Sequence, residues 1–584
     1  MTDAREILIP RFIYIREINS KAQTCSAILK YSNSKQAIRV YRGVSEFIQD
    51  LEAYKSKNEH LEFTNVKNLY GTMGVIRRGT REYLLLIEEC TLIGQILKAN
   101  IFRVDEILVI SLQEENEEDM EYTDSVKDLV NDQSFYFSYN YNLTHSLQEN
   151  IHKGLLVEES KQFSDEDCSE EYFPNYDKKF IFNKLLLSRL NNCSNEHLWP
   201  FIVPLIYGVV SINSTYLDEN KVGIILISRK DCNRLGRRFT SRGIDDEGNV
   251  SNFVETEHIL IHYEQDFCQV ASYTQIRGSI PLFWTQKPTL KYAPTIGICT
   301  DDDKNKAAAE KHFSNNIEKY GDHVLINLVD KKGSQNKIGT AFTNLIKSLN
   351  NERLHYEWFD FHGECKNMQW ENLKILINNI KEKIDEQKYF MASLDHTFDK
   401  IGKLTQSNCK ITQTQIGVCR TNCMDCLDRT NVVQSVISRL IAHRQLWKMN
   451  ILDEPKGDVF ESFPKEFDAL FRQAWTNNAN VCSILYSGTP ALKTDFTLTG
   501  KRSAKGAVVD GINSAKRYYI NNFCDSYNQD ILDSTVLSID LNKDGVSDHQ
   551  LEKEKDSTNG YTMKFIHLIT VAGIAGFTLK SLFQ

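Results

Sequence analysis

The first part of the chain alternates short apolar runs with turn-formers. Segments such as AILKYSNSKQAIRVYRG, NVKNLYGTMGVIRRG and REYLLLIEEC have the length and spacing of β-strands, so residues 1–175 are expected to form a strand-rich domain. Two acidic stretches interrupt it, at 114–124 and 158–173. Clustered like charges resist burial, so the first is expected to be a solvated loop and the second a domain boundary. From 176 to 525 the pattern changes: apolar strands such as KVGIILIS (221–228) alternate with helix-period segments such as NVVQSVISRLIAHRQLW (431–447). That alternation predicts an α/β domain. No internal repeat is visible.

Residues 526–560 are polar and predict a linker. The last segment, 561–584, contains an uncharged run of 15 residues from Phe565 to Leu579, bracketed by Lys564 and Lys580. Its apolar residues go all the way round a helix, which argues for a membrane anchor over an interfacial amphipathic helix; a buried core helix is the competing reading. At ~1.5 Å per residue the run spans ~22 Å, short of a ~30 Å hydrocarbon core unless the flanking lysines snorkel. Such a segment suits the thinner endoplasmic reticulum or early Golgi membrane. The N-terminus mixes charges into its apolar residues and reads as no signal peptide. The expected location is therefore an endoplasmic reticulum or early Golgi membrane, with the folded domains facing the cytosol.

Composition adds little: 41% hydrophobic and 25% charged residues are an ordinary globular balance. The net charge of -9 argues against general nucleic-acid binding. The 14 cysteines follow no spaced framework, which fits reduced thiols.

One cysteine stands out. In IGVCRTNCMDCLDRTN, Cys423 and Arg429 are separated by five residues and followed by Thr430. The backbone N–H groups of Met424, Asp425, Cys426, Leu427 and Asp428 can wrap a phosphate, with a helix starting near Thr430 adding its positive end. Those groups also lower the thiol pKa, Arg429 can fork two phosphoryl oxygens, and Thr430 can support sulfur as a leaving group. The spacing alone is weak, because Cys232 and Arg238 repeat it. Only at Cys423 are the flanks right: an alternating strand pattern before, and a helix face of Val433, Val436, Ile437, Leu440 and Ile441 after.

Metal readings compete weakly. Cys423 and Cys426 with His362 and Glu364 resemble a zinc deaminase set, but Asn422 stands where that pattern has proline, and there is no second cysteine pair. Asp540, Asn542, Asp544 and Gly545 suit a calcium loop, yet Leu551 occupies the twelfth position. No metal or cofactor is expected. Arg237, Arg238 and Arg242 lie in a glycine-flanked loop, either facing phosphate or paired with Asp245 and Glu247. Lys501, Arg502 and Lys505 either face acidic lipid or begin a solvated helix. His362 reads as structural.

RTNCMDCLDRTN closely resembles the signature of the Sac-domain (suppressor of actin) phosphoinositide phosphatases. The similarity runs over roughly residues 5–530, with further family-like blocks at 135–148, 180–190, 234–257, 276–284, 360–368 and 488–506. The resemblance implies an N-terminal Sac domain packed on an α/β cysteine-phosphatase domain, plus a C-terminal membrane helix. It implies membrane phosphoinositides as substrates, with phosphatidylinositol 4-phosphate usual for the membrane-integral branch. Two departures stand out: that branch usually ends in two close membrane segments where this sequence offers one candidate, and Leu498 stands where many relatives have arginine.

The expected reaction is attack by the Cys423 thiolate on a ring phosphate, giving a phosphocysteine that water hydrolyses. Asp425 is favoured over Asp428 as the proton donor, with orientation of Arg429 from behind as the alternative role for Asp428. Met424, Cys426, Leu427, Asp428, Arg237, Arg242 and Lys501 are expected to hold the substrate. The alternatives are a protein phosphatase using the same loop and a non-catalytic phosphoinositide-binding adaptor. An intact thiolate site argues against the second.

Overall fold

The structure, a computed structural model, describes residues 12–533 apart from 20–23, 32–33, 42–43, 114–121, 125, 155–174, 191–200, 265–266, 287–293, 367–368, 396–408, 457–461, 493, 495–497, 499–502, 526–528 and 530–531. Among the described residues no helix is long and apolar enough to cross a membrane; the expected anchor at 561–584 and the calcium-like loop lie outside them, as does Lys501.

The chain opens with a five-stranded antiparallel sheet, ordered Val44–Ile48, Ala37–Tyr41, Thr24–Tyr31, Phe12–Asn19, Glu62–Leu69. Phe12, Tyr14, Ala27, Leu29, Ile38 and Val40 form part of a core layer shared with Val75, Leu84 and Leu86 of the next sheet.

That next sheet has thirteen strands among the described residues. It begins antiparallel with Gly71–Arg78, Arg81–Ile96 and Ala99–Ser111. The three-residue strand Phe135–Phe137 then joins Ala99–Ser111 on one side to Ile206–Leu217 on the other. The ladder continues through Asn220–Lys230, Val254–Tyr263 and Phe267–Arg277. The boundary drawn at residue 175 therefore divides the sequence, not the sheet: one hydrogen-bonded ladder crosses it.

Beyond Phe267–Arg277 the sheet turns parallel. Gly417–Asn422 lies between Phe267–Arg277 and Asp322–Asn327, and Leu354–Trp358 follows. Parallel strands need both faces covered. Helices Leu373–Gln387 and Asp428–Lys448 place Leu376, Ile380, Ile437 and Leu440 in one core with Val324, Ile326 and Cys419. Helices Asp302–Tyr320 and Gly333–Leu349 place Phe313, Ile338 and Phe342 in another with Leu325. The described residues thus form a mixed α/β fold built on large sheets.

Gly321 makes the approach of two of these strands feasible. It ends the helix Asp302–Tyr320 at φ 78°, and a Cβ there would lie 1.9 Å from the Ile416 carbonyl oxygen. Only glycine fits so close beside the strand that leads to Cys423. The helix Asp428–Lys448 is buried on nearly all sides, because Lys465–Ser487 covers it with Phe467, Phe471 and Trp475.

At the end of the described chain, Gln529 accepts the Arg237 N–H at 2.8 Å and Leu532 is buried. At these two positions the start of the segment expected to be a polar linker packs on the body.

Candidate active site

The strand Gly417–Asn422 is wholly buried. Asn422 ends it, donating from its side chain to Asn327 Oδ1 at 2.7 Å and so tying the carboxyl ends of two parallel strands together. Carboxyl ends of parallel strands are where open α/β sheets form ligand crevices. Here the loop Cys423–Leu427 follows at once, turning through Cys426 at φ 53° before the helix begins at Asp428.

Cys423 is 2% exposed and lines a cavity of about 430 Å³. Its Sγ accepts the Cys426 backbone N–H at 3.1 Å and the Thr430 hydroxyl at 3.5 Å. Burial would raise this thiol. The hydrogen bonding at Cys426, the Arg429 charge and the Thr430 hydroxyl outweigh burial and bring it well below its ordinary value. The result is a buried sulfur that favours the thiolate. Cys426 goes the other way: burial and the neighbouring Cys423 push its thiol up. That thiol donates to the Gly278 carbonyl at 3.0 Å and to the Cys423 carbonyl at 3.5 Å, so Cys426 supports the loop through its side chain as well as its backbone N–H.

Asp425 sits between two arginines. Arg238 forks it, Nε at 3.0 Å and Nη2 at 2.8 Å, and Arg242 Nη2 reaches it at 2.7 Å. Burial would raise its carboxyl, but the two guanidinium charges prevail and hold it well below the usual carboxylate range. The expected proton donor is thus kept ionised, because two cations stabilise its charge. Arg242, itself buried, also donates to the Met424 carbonyl and Gln286 Oε1, each at 2.8 Å, and lies over the Trp284 ring. It braces the loop from behind.

Asp428 occupies the contrasting environment. Its Oδ1 accepts the Leu492 N–H at 3.0 Å, and Arg517 Nη1 stands 4.0 Å from Oδ2. Burial pushes its carboxyl up, Arg517 and Leu492 offset this only in part, and the charges of Cys423 and Asp425 add to the rise. Asp428 lines the cavity.

The residue that orients Arg429 is Asp330, not Asp428. Arg429 Nη1 donates to Leu328 O at 3.0 Å, Gln335 Oε1 at 3.1 Å and Asp330 Oδ1 at 3.2 Å. His362 Nδ1 shares that Asp330 oxygen at 2.9 Å, and His362 lines the cavity. Asp330 follows the strand Asp322–Asn327, which ends beside Gly417–Asn422. An acidic residue just past a short apolar strand is the signal that sequence reading passed over.

The predicted set divides accordingly. Cys423, Met424, Asp425, Leu427, Asp428 and Arg429 all line one cavity, with Thr430 behind the sulfur. Arg237 does not join them: its Nη1 donates to Ile484 O at 2.9 Å, on another side of its loop. Glycines flanking the loop permit its path but do not decide which arginine turns inward. Arg238, the arginine of the second Cys-to-Arg spacing, does line the cavity, while Cys232 is a core thiol pushed well above its ordinary value by burial. Arg517 also lines the cavity, although it comes from a helix remote in sequence.

The SacI homology domain model matches residues 70–366. A phosphatidylinositol-3-phosphatase SAC1-B of Danio rerio is 36% identical over 471 residues, covering 79% of this chain and 75% of that protein. Phosphatidylinositol-3-phosphatase SAC1 of Drosophila melanogaster is 35% identical over 511 residues, covering 87% and 81%. The Saccharomyces cerevisiae protein of the same name is 33% identical over 517 residues, covering 87% and 76%.

Proposed function

The chain belongs to the SacI homology family and is a phosphoinositide phosphatase; from that premise we propose that it hydrolyses membrane phosphoinositides, chiefly phosphatidylinositol 4-phosphate, through a phosphocysteine on Cys423. The observation that carries this reading is a buried cysteine that lines a cavity yet is held toward the thiolate by hydrogen bonding at Cys426, by Arg429 and by Thr430.

In the proposed reaction the Cys423 sulfur attacks phosphorus as the bond to the inositol oxygen breaks, and Asp428 gives that oxygen its proton. Water then attacks the phosphocysteine, the S–P bond breaks with the thiolate leaving, and Asp428 takes up the proton from water. Thr430 stabilises the departing sulfur. Arg429 meets the charge on the phosphoryl oxygens; its contacts to Leu328, Asp330 and Gln335 all use Nη1, so the Nε–Nη2 edge is the one suited to a fork. Asp425 keeps Arg238 and Arg242 in place under the loop.

Purified protein assayed on a panel of mono-, bis- and trisphosphorylated inositol lipids, together with a phosphopeptide, tests this reading. The 4-phosphate monoester is expected to be hydrolysed fastest. The relatives are named for the 3-phosphate, so the two monophosphates belong side by side; preference for the peptide would replace the reading by a protein phosphatase. The same assay in excess chelator should run at the full rate, because the proposed steps use protein groups only. Abolition by chelator with recovery on adding zinc or magnesium would refute the thiolate scheme.

The location is proposed on sequence: 561–584 as the anchor, in an endoplasmic reticulum or early Golgi membrane, with the phosphatase domain in the cytosol. Deleting 561–584 should release a soluble enzyme that still hydrolyses dispersed lipid. A truncated protein that stays with membranes after a high-salt wash would refute the anchor.

A further inference from the structure

The helix Ala504–Phe523 has its polarity inverted. Its inward side is polar and belongs to the cavity wall: Ser514, Arg517, Tyr518 and Asn521 line the cavity, and Arg517 donates to Thr489, Ser483 and Pro490. Its outward side, from Lys505 to Lys516, carries Lys505, Val508, Val509, Gly511 and Lys516, all exposed, with Ile512 half-buried between them. Val508 is 58% and Val509 45% exposed, and a Cβ added at Gly511 would meet nothing within 4 Å. A helix on a soluble protein surface normally turns its polar stripe to water. Here adjacent valines face out, the stripe holds two lysines and no carboxylate, and the polar side faces in. Ser503 caps the first turn, its hydroxyl accepting the Gly506 N–H at 2.9 Å, so the arrangement is a formed helix from its start.

The substrate proposed above supplies the partner. A two-chain phosphoinositide keeps its acyl chains in the bilayer while its ring phosphate must reach Cys423, so the cavity rim has to approach the headgroup layer. The helix Ala504–Phe523 combines a cavity-lining side with a cationic, apolar outer side. We propose that the outward face of Ala504–Phe523 rests on the anionic bilayer holding the substrate, with Val508 and Val509 in the interfacial layer and Lys505 and Lys516 on lipid phosphates. The proposal rests on the phosphoinositide phosphatase reading and adds a contact that aims the cavity at the membrane independently of the tail.

The test compares two substrates with full-length protein: phosphoinositide in vesicles of about 4:1 phosphatidylcholine to phosphatidylserine, and the same headgroup on short, dispersed chains. V508E/V509E is expected to slow vesicle hydrolysis by about tenfold or more and to leave dispersed hydrolysis within about twofold. V508L/V509L should match or exceed the parent on vesicles. Equal rates of parent and V508E/V509E on vesicles would overturn the proposal. Should the glutamate pair lower both substrates alike through misfolding, V508S/V509S decides: an unchanged vesicle-to-dispersed ratio overturns it, and a ratio lowered about threefold supports it. A parent protein inactive on both substrates would instead overturn the phosphatase reading.

Discussion

Replacing Cys423 by serine is expected to reduce phosphate release from dispersed phosphoinositide by at least roughly 10⁴-fold, the scale on which enzymes respond to loss of a covalent nucleophile. The groups that hold the sulfur toward its anion are Cys426, through its hydrogen bonding, Arg429 and the Thr430 hydroxyl. A hydroxyl in the same place starts from a far higher pKa, and those groups cannot bring it to the alkoxide near neutrality. The swap is nearly isosteric, so the melting temperature should stay close to the parent's. Cys232→Ser is the matched control: it alters a buried thiol in another core and should leave turnover near normal. Retained activity in Cys423→Ser with intact circular dichroism would remove the nucleophile assignment, and the phosphocysteine with it.

Asp428→Asn should slow hydrolysis of inositol lipids by about 10²- to 10⁴-fold, because the inositol alkoxide leaves poorly without a proton. An aryl phosphate, whose phenolate departs unaided, should lose little. The pH profile supplies the independent readout. Cys423 is lowered, so its thiolate form is present above its pKa; Asp428 is raised, so its acid form persists to a higher pH than an ordinary carboxyl. Turnover should therefore rise with pH through the first, fall through the second, and lose the falling limb in Asp428→Asn. Asp425→Asn should keep that limb and weaken both substrates alike, since it releases Arg238 and Arg242 beneath the loop. Selective loss on the inositol substrate in Asp425→Asn, with Asp428→Asn unselective, would return the proton to Asp425.

Those two aspartates mark the limit of reading the site from sequence. Their spacing places both in the loop, but which one is ionised depends on cations from elsewhere: Arg238 and Arg242 for one, Arg517 for the other. Local pattern succeeded where the chain itself carries the information. The helix expected over 431–447 spans Asp428–Lys448, and the strand expected over 221–228 spans Asn220–Lys230. It failed where partners meet only through the sheet. Asp330 reaches Arg429 because two parallel strands end side by side, and the sheet crosses residue 175 because Phe135–Phe137, three residues with no visible periodicity, bridges two long hairpins. Arg237 and Arg238 are neighbours in sequence and opposite in direction, a difference set by packing against Ile484 and Asp425.

The position of Gly417–Asn422 between Phe267–Arg277 and Asp322–Asn327 also bears on how the enzyme comes into being. Both flanking strands leave the ribosome well before the one that leads to Cys423, so an interior slot of the sheet, third from its end, must wait for a late segment to be threaded home. At ~5–20 residues per second, there is an interval in which every strand of the antiparallel ladder from Gly71–Arg78 to Phe267–Arg277 has been made and Cys423 has not. Cys423, Arg429 and the helix Asp428–Lys448 arrive together, ahead only of the helices Lys465–Ser487 and Ala504–Phe523 that close over them. An interrupted translation product that ends before Gly417 thus lacks the strand, the nucleophile and the arginine at once, and can hydrolyse no lipid by this route.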